Sequence, residues 1–95
     1  MPFRLRFDRR FLQQLDALPG DLRSVARQQV KRLADEPRPA SAKELDGHPG
    51  YLRVWLPRGH RLVWQVIEEE GVIDLLYVVP KSPDLYEKLG LGREK

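Results

Sequence analysis

The sequence predicts an α+β domain in the order β-α-α-β-β-β, an N-terminal helical hairpin packed on one face of a small, mainly antiparallel four-stranded sheet. Three observations predict it. Apolar and polar residues alternate along 51–56 and 60–67, the period of half-buried strands, and 72–79 is a short apolar run broken by Asp74. Two apolar stripes at helical spacing fill the first half and are split by Pro19-Gly20. The links between the three strand segments are short, which makes neighbours antiparallel.

In chain order, FRLRF (Phe3 to Phe7) alternates apolar and basic residues and reads as a short strand with Phe3, Leu5 and Phe7 inward. Asp8 is placed to cap the first helix, with Phe7 and Leu12 positioned as a hydrophobic staple. Phe11, Leu12, Leu15 and Leu18 form its stripe. Asp21 can cap the second helix, whose stripe is Leu22, Val25, Ala26, Val30, Leu33 and Ala34 and whose other side carries Arg23, Arg27, Gln28, Lys31 and Arg32. Pro37 and Pro39 end that helix, and EPRPASAKELDGHPG reads as a polar loop. LPRGH and EEEG are the two tight links, with Gly71 suited to a positive φ. DLYEKL has room for one terminal helical turn, and 90–95 reads as a frayed tail of a single domain spanning 1–95.

Composition narrows the function classes. A chain of 95 residues, 41% hydrophobic and 33% charged, is an ordinary globular domain rather than a disordered one. Its absence of cysteine excludes disulfides and thiolate metal sites and fits a reducing cytoplasm. Two separated histidines give no metal-ligand spacing, so neither a metal nor another cofactor is expected. No signal peptide and no membrane segment are read: the longest apolar run, Leu75 to Val79, is too short to span a bilayer. The net charge of +3 fits a nucleic-acid binder and fits equally a soluble protein with a few extra arginines.

The strands sharpen this. Leu52, Val54 and Leu56 share one face of their strand, and Tyr51, Arg53 and Trp55 the other. Leu62, Trp64 and Val66 oppose Arg61, Val63, Gln65 and Ile67 in the next. With the first set of each against the helices, Arg53, Trp55 and Arg61 emerge together near the turn, while Val63 and Ile67 require part of that face to be sheltered. Singly, the arginines read as surface charge or ion-pair partners and Trp55 as a core or edge tryptophan. Together they read as a stacking ring beside phosphate-binding guanidinium groups.

GHPGYLRVWLPRGHRLVWQVI followed by IDLLYVVPKSPDLYEKL resembles the RelE/ParE superfamily of toxins from toxin–antitoxin modules. The likeness rests on Leu45 and Gly47 before a strand, on the Gly59 to Trp64 strand, and on Lys81 and Tyr86 after the last one, and spans roughly residues 3–88. What the resemblance implies is a RelE-like messenger-RNA endonuclease acting in the ribosomal A site, held inactive by a cognate antitoxin protein, the pair binding operator DNA. Carried over, it makes Arg61 the residue that grips the scissile phosphate, Lys81 a second basic residue, and Tyr86 a side chain that stacks on or orients substrate. Arg53 stands where the family often has a lysine. Trp55 stands where the RelE branch has a second lysine, a departure that removes one proton handler. Beside this catalytic set of Arg61, Lys81, Tyr86 and Arg53, the expected RNA contacts are Trp55, Arg58 and His60.

RNA is cut without metal when its 2′-OH attacks the adjacent phosphate, which requires alignment, charge stabilisation and two proton transfers. Arginine supplies charge but no base. Tyr86, Lys81, His48 and His60 remain for the protons, although His60 should point away from Arg61 in a regular strand. Asp74 reads as an exposed alternation residue or a partner of Arg61. The ParE branch offers a competing reading, a non-enzymatic inhibitor of DNA gyrase, and a degenerate member that only binds its antitoxin is a third.

Overall fold

Within residues 2–80, the part of the chain that the computed structural model describes, each helix and strand predicted there forms. The elements are β1 (Arg4–Phe7), α1 (Arg9–Ala17), α2 (Gly20–Leu33), β2 (Lys43–Leu45), β3 (His48–Leu56), β4 (His60–Ile67) and β5 (Val72–Pro80). Lys81, Tyr86, the expected terminal helical turn and the expected frayed tail lie outside the described residues.

The sheet has five strands rather than four, in the order β1-β5-β4-β3-β2. The added strand, β2, pairs antiparallel with β3 through Lys43↔Arg53 and Glu44↔Leu52. Three residues are too few to carry an alternating pattern, so the segment reads as loop in the sequence. β3 correspondingly begins at His48, inside the predicted loop. β1 lies parallel to β5, and the remaining pairs are antiparallel.

Asp8 caps α1 as expected, its carboxylate accepting the Arg10 N–H at 3.2 Å. Phe7, expected inward, is 42% exposed at the end of β1, although its ring tilts against the buried Phe11 with centroids 6.0 Å apart. Leu12, its expected staple partner, is also exposed. α2 begins one residue before Asp21: Pro19 occupies the cap position, which leaves Asp21 in the first turn, where its charge complements the helix dipole. Val25, expected in the apolar stripe, is exposed as well.

Both helices lie on one face of the sheet. Phe11, Leu15, Leu18, Leu22, Ala26, Val30 and Leu33 bury against Leu52, Val54, Leu56, Leu62, Trp64, Val66, Ile73, Leu75 and Val78 in one core. Trp64 at its centre is wholly buried, and its indole N–H donates to the Pro37 carbonyl at 3.0 Å, tying the loop after α2 to the sheet. The opposite face has a smaller core of Leu45, Val63 and Tyr77, flanked by Tyr51 and Leu76. This is the shelter that Val63 required.

A bulge sets which β5 side chains reach that second face. Val63 pairs with Tyr77 but Trp64 pairs with Leu75, so Leu76 is the extra residue. The shift puts Tyr77 on the open side and returns Val78 to the helical core. Beyond the end of β1, the Val78 N–H donates to the Gln14 side-chain carbonyl at 3.0 Å, so α1 satisfies a backbone group on the stretch of β5 that extends past β1.

Candidate nucleic-acid interface

The β3–β4 hairpin builds the candidate site. Trp55 and Arg61 are direct cross-strand partners, Arg53 lies two residues before Trp55 on the same face, and Arg53 in turn pairs with Lys43 of β2. Period-two geometry therefore puts Lys43, Arg53, Trp55 and Arg61 together on the face away from the helices. The Arg61 guanidinium carbon stands 4.5 Å from the centroid of the Trp55 ring, and that of Arg53 stands 5.7 Å away, both within cation–π range. The ring remains 43% exposed. The expected grouping of Arg53, Trp55 and Arg61 is thus present. Lys43 is an addition that the sequence did not signal, because its strand was not recognisable.

Asp21, Glu68, Glu70 and Asp74 form ion pairs away from the cluster. Asp74 receives the Arg6 guanidinium through two hydrogen bonds, one from Nη2 at 2.9 Å, and Arg6 also lies 3.7 Å from Glu70. Asp74 is therefore a partner of Arg6, neither a plain exposed residue nor the partner of Arg61. The bond to Asp74 holds the Arg6 guanidinium pKa above its ordinary value. Glu68 takes Arg38 at 2.6 Å.

Arg58 does not join the cluster. It occupies the turn with φ of 64°, beside Gly59 at 71°, and its guanidinium is bound to Asp21 at the start of α2. This long-range pair stands where a surface RNA contact was expected. His60 shares the side of Leu62 and Trp64 rather than of Arg61, and its Nδ1 lies 3.2 Å from the Arg58 carbonyl. His48 meets Tyr51 edge-on with ring centroids 5.9 Å apart. Neither histidine is part of the Arg–Trp stack. Lys81 and Tyr86 lie outside the described residues.

At the other end of the open face, Arg6, Asp8, Arg10, Asp74 and Tyr77 line a shallow recess. Burial raises the Tyr77 pKa above the ordinary phenol value, and the Arg10 guanidinium pulls it back only in part. Tyr77 is therefore a neutral phenol throughout the physiological range.

Among the described residues, no three His, Cys, Asp or Glu side chains gather as a metal-binding group. No helix among them is long and apolar enough to cross a membrane. The Arg–Trp cluster offers fixed positive charge and a flat aromatic surface, the two features that hold a phosphodiester and a base.

Two helices on one face of a mixed five-stranded sheet is the fold of RelE toxins. No protein-family profile matches the chain, and no curated protein sequence does. Solved structures do. A mutant of E. coli toxin RelE in the free state superposes with a TM-score of 0.79 at 26% identity, over 95% of this chain and 96% of that one. A chain of the intact E. coli RelBE toxin–antitoxin complex gives 0.75 at 30% identity, over 84% and 98%. The archaeal RelE–RelB complex from Pyrococcus horikoshii shares the fold, with a TM-score of 0.71 at 20% identity over 87% and 99%. The chain belongs to the RelE-like branch of the RelE/ParE toxin superfamily.

Proposed function

We propose that this RelE-like type II toxin is a ribosome-dependent endoribonuclease, cutting messenger RNA in the ribosomal A site, and that a RelB-type antitoxin protein holds it inactive. The observation that carries the reading is the pair of guanidinium groups gathered on the open face of the sheet, at 4.5 and 5.7 Å from one exposed indole. The antitoxin partner is supported by the E. coli and archaeal relatives, which were solved as complexes with RelB-type proteins. We further propose that the toxin–antitoxin pair binds operator DNA, and that the protein acts in the cytoplasm.

In this mechanism the 2′-oxygen forms a bond to the adjacent phosphorus while the bond from phosphorus to the 5′-oxygen breaks. The products are a 2′,3′-cyclic phosphate and a free 5′-hydroxyl. Arg61 and Arg53 carry the charge that accumulates on the phosphate oxygens. Neither takes the proton from the 2′-OH, since a guanidinium stays protonated at working pH. Lys81 and Tyr86 are proposed for proton transfer and substrate orientation. The lysine that the RelE branch has at position 55 is replaced here by tryptophan, which places a greater share of the proton traffic on those two residues.

The test is induction in cells followed by mapping of messenger-RNA 5′ ends. Codon-linked cuts are expected, and Arg61→Ala should lower the cleavage rate about 100-fold, the scale seen when one charge-stabilising donor is removed. Persistent cutting by a folded Arg61→Ala protein removes that residue from the mechanism. Inhibition of DNA supercoiling without message cleavage overturns the nuclease reading in favour of the ParE-like one.

A further inference from the structure

The same indole faces two guanidinium groups, which raises the question of what Trp55 does once a phosphate arrives. We propose that its ring is a seat with exchangeable occupants: the Arg61 guanidinium in the free protein and a base of single-stranded RNA in the complex. The inference deepens the function proposed above and rests on it for the class of substrate.

The geometry supplies the free state. The Arg61 guanidinium carbon is 4.5 Å from the ring centroid, close enough to be held by the ring's negative face, and the two residues are fixed opposite each other in the ladder. A phosphodiester offers that guanidinium two charge-assisted hydrogen bonds in a planar fork, a stronger interaction than the ring quadrupole. In the proposed exchange the guanidinium leaves the ring for the phosphate while Trp55 and Arg61 stay paired in the ladder. Its departure uncovers a flat apolar surface next to the bound phosphate, and a base of the same strand fills it by stacking. Arg53, 5.7 Å from the same centroid, stays beside the ring as a second contact for the backbone. A lysine at position 55 would supply charge but no seat.

Trp64 makes the exchange measurable. It is wholly buried with its N–H bonded to Pro37, whereas Trp55 is 43% exposed, so a ligand on the open face changes the emission of Trp55. The experiment titrates the full chain with a labelled deoxyadenosine hexanucleotide, which lacks the attacking 2′-OH, and with an abasic sugar–phosphate hexamer. Anisotropy gives affinity and tryptophan emission reports stacking.

The expected result is quenching by the adenine oligomer alone and binding about tenfold tighter than that of the abasic strand. Trp55→Phe should keep most of this ratio, and Trp55→Ala should collapse it toward one while its circular dichroism stays that of the folded protein. A base-dependent ratio that survives in Trp55→Ala, or equal binding of the two oligomers by the unmodified protein, overturns the inference. Failure of the nuclease reading is separate. A base-dependent ratio in a protein that cuts no message keeps the seat and removes the nuclease, and cutting with a ratio of one does the reverse.

Discussion

The two ends of the open face use arginine in opposite ways. At the β1–β5 edge, Arg6 is bound to Asp74 and approaches Glu70, so its charge is cancelled locally. At the β3–β4 hairpin, Arg53 and Arg61 lie against the ring of Trp55. An indole positions a guanidinium but has no formal charge of its own, so these two contacts do not cancel the charge of the arginines they hold. The lesson concerns partners rather than counts. A basic surface is read from what each arginine touches, and Arg58, clasped to Asp21, belongs with Arg6 rather than with Arg61.

The contrast can be broken directly by giving the hairpin end the chemistry of the other. Trp55→Glu places a carboxylate between the two arginines. The fold should persist because the position is half-exposed, while RNA cleavage falls by about 100-fold or more, matching loss of a charge-stabilising group. The salt dependence of oligomer binding should flatten as well, by about 0.7 in log–log slope for each phosphate that is no longer neutralised. Cleavage and salt slope equal to those of the unmodified protein would show that the indole does not matter to the charge of the site.

A smaller effect sharpens the comparison through Tyr77, in the recess beside Arg10. Burial raises its pKa in the folded chain. In the unfolded chain the phenol ionises near its ordinary value of about 10. The stability linked to Tyr77 is thus fully present below that pH and is lost as pH rises through the folded pKa. Urea midpoints of the unmodified protein should fall more steeply above about pH 10 than those of Tyr77→Phe. Parallel curves would remove burial as the cause.

The smallest effect tests the cancelled end. Asp74→Asn releases Arg6, yet the ion pair is solvent-exposed and screened. Message cleavage should be unchanged and the urea midpoint barely moved, with any difference erased by added salt. A marked loss of cleavage would extend the functional surface across the whole sheet.

Much of this was legible in the sequence, and the failures have physical causes. Alternation in 51–56 and 60–67 placed Arg53, Trp55 and Arg61 on one face because nothing interrupts those strands. In β5 the extra residue Leu76 breaks the phase, so the side on which Tyr77 falls cannot be counted from Val72. β2 escaped notice because three residues hold no periodicity, and Lys43 escaped with it. Arg58–Asp21 and Arg6–Asp74 join residues far apart in the chain, and a local pattern carries no record of such contacts. Phe7 looked like a core residue by alternation, but it is the last residue of an edge strand, where a side chain in line with the core can remain partly wet.

Gln14 also guards a border of the sheet. A sheet this rich in valine and leucine, ending in an uncovered border, is the kind of template on which identical chains build fibres. With its amide planted on the Val78 N–H, Gln14 acts as an end-stop on one border, and the three-residue β2 leaves little length to copy on the other. Together these two features shorten the border on which a second copy of the chain could add a strand.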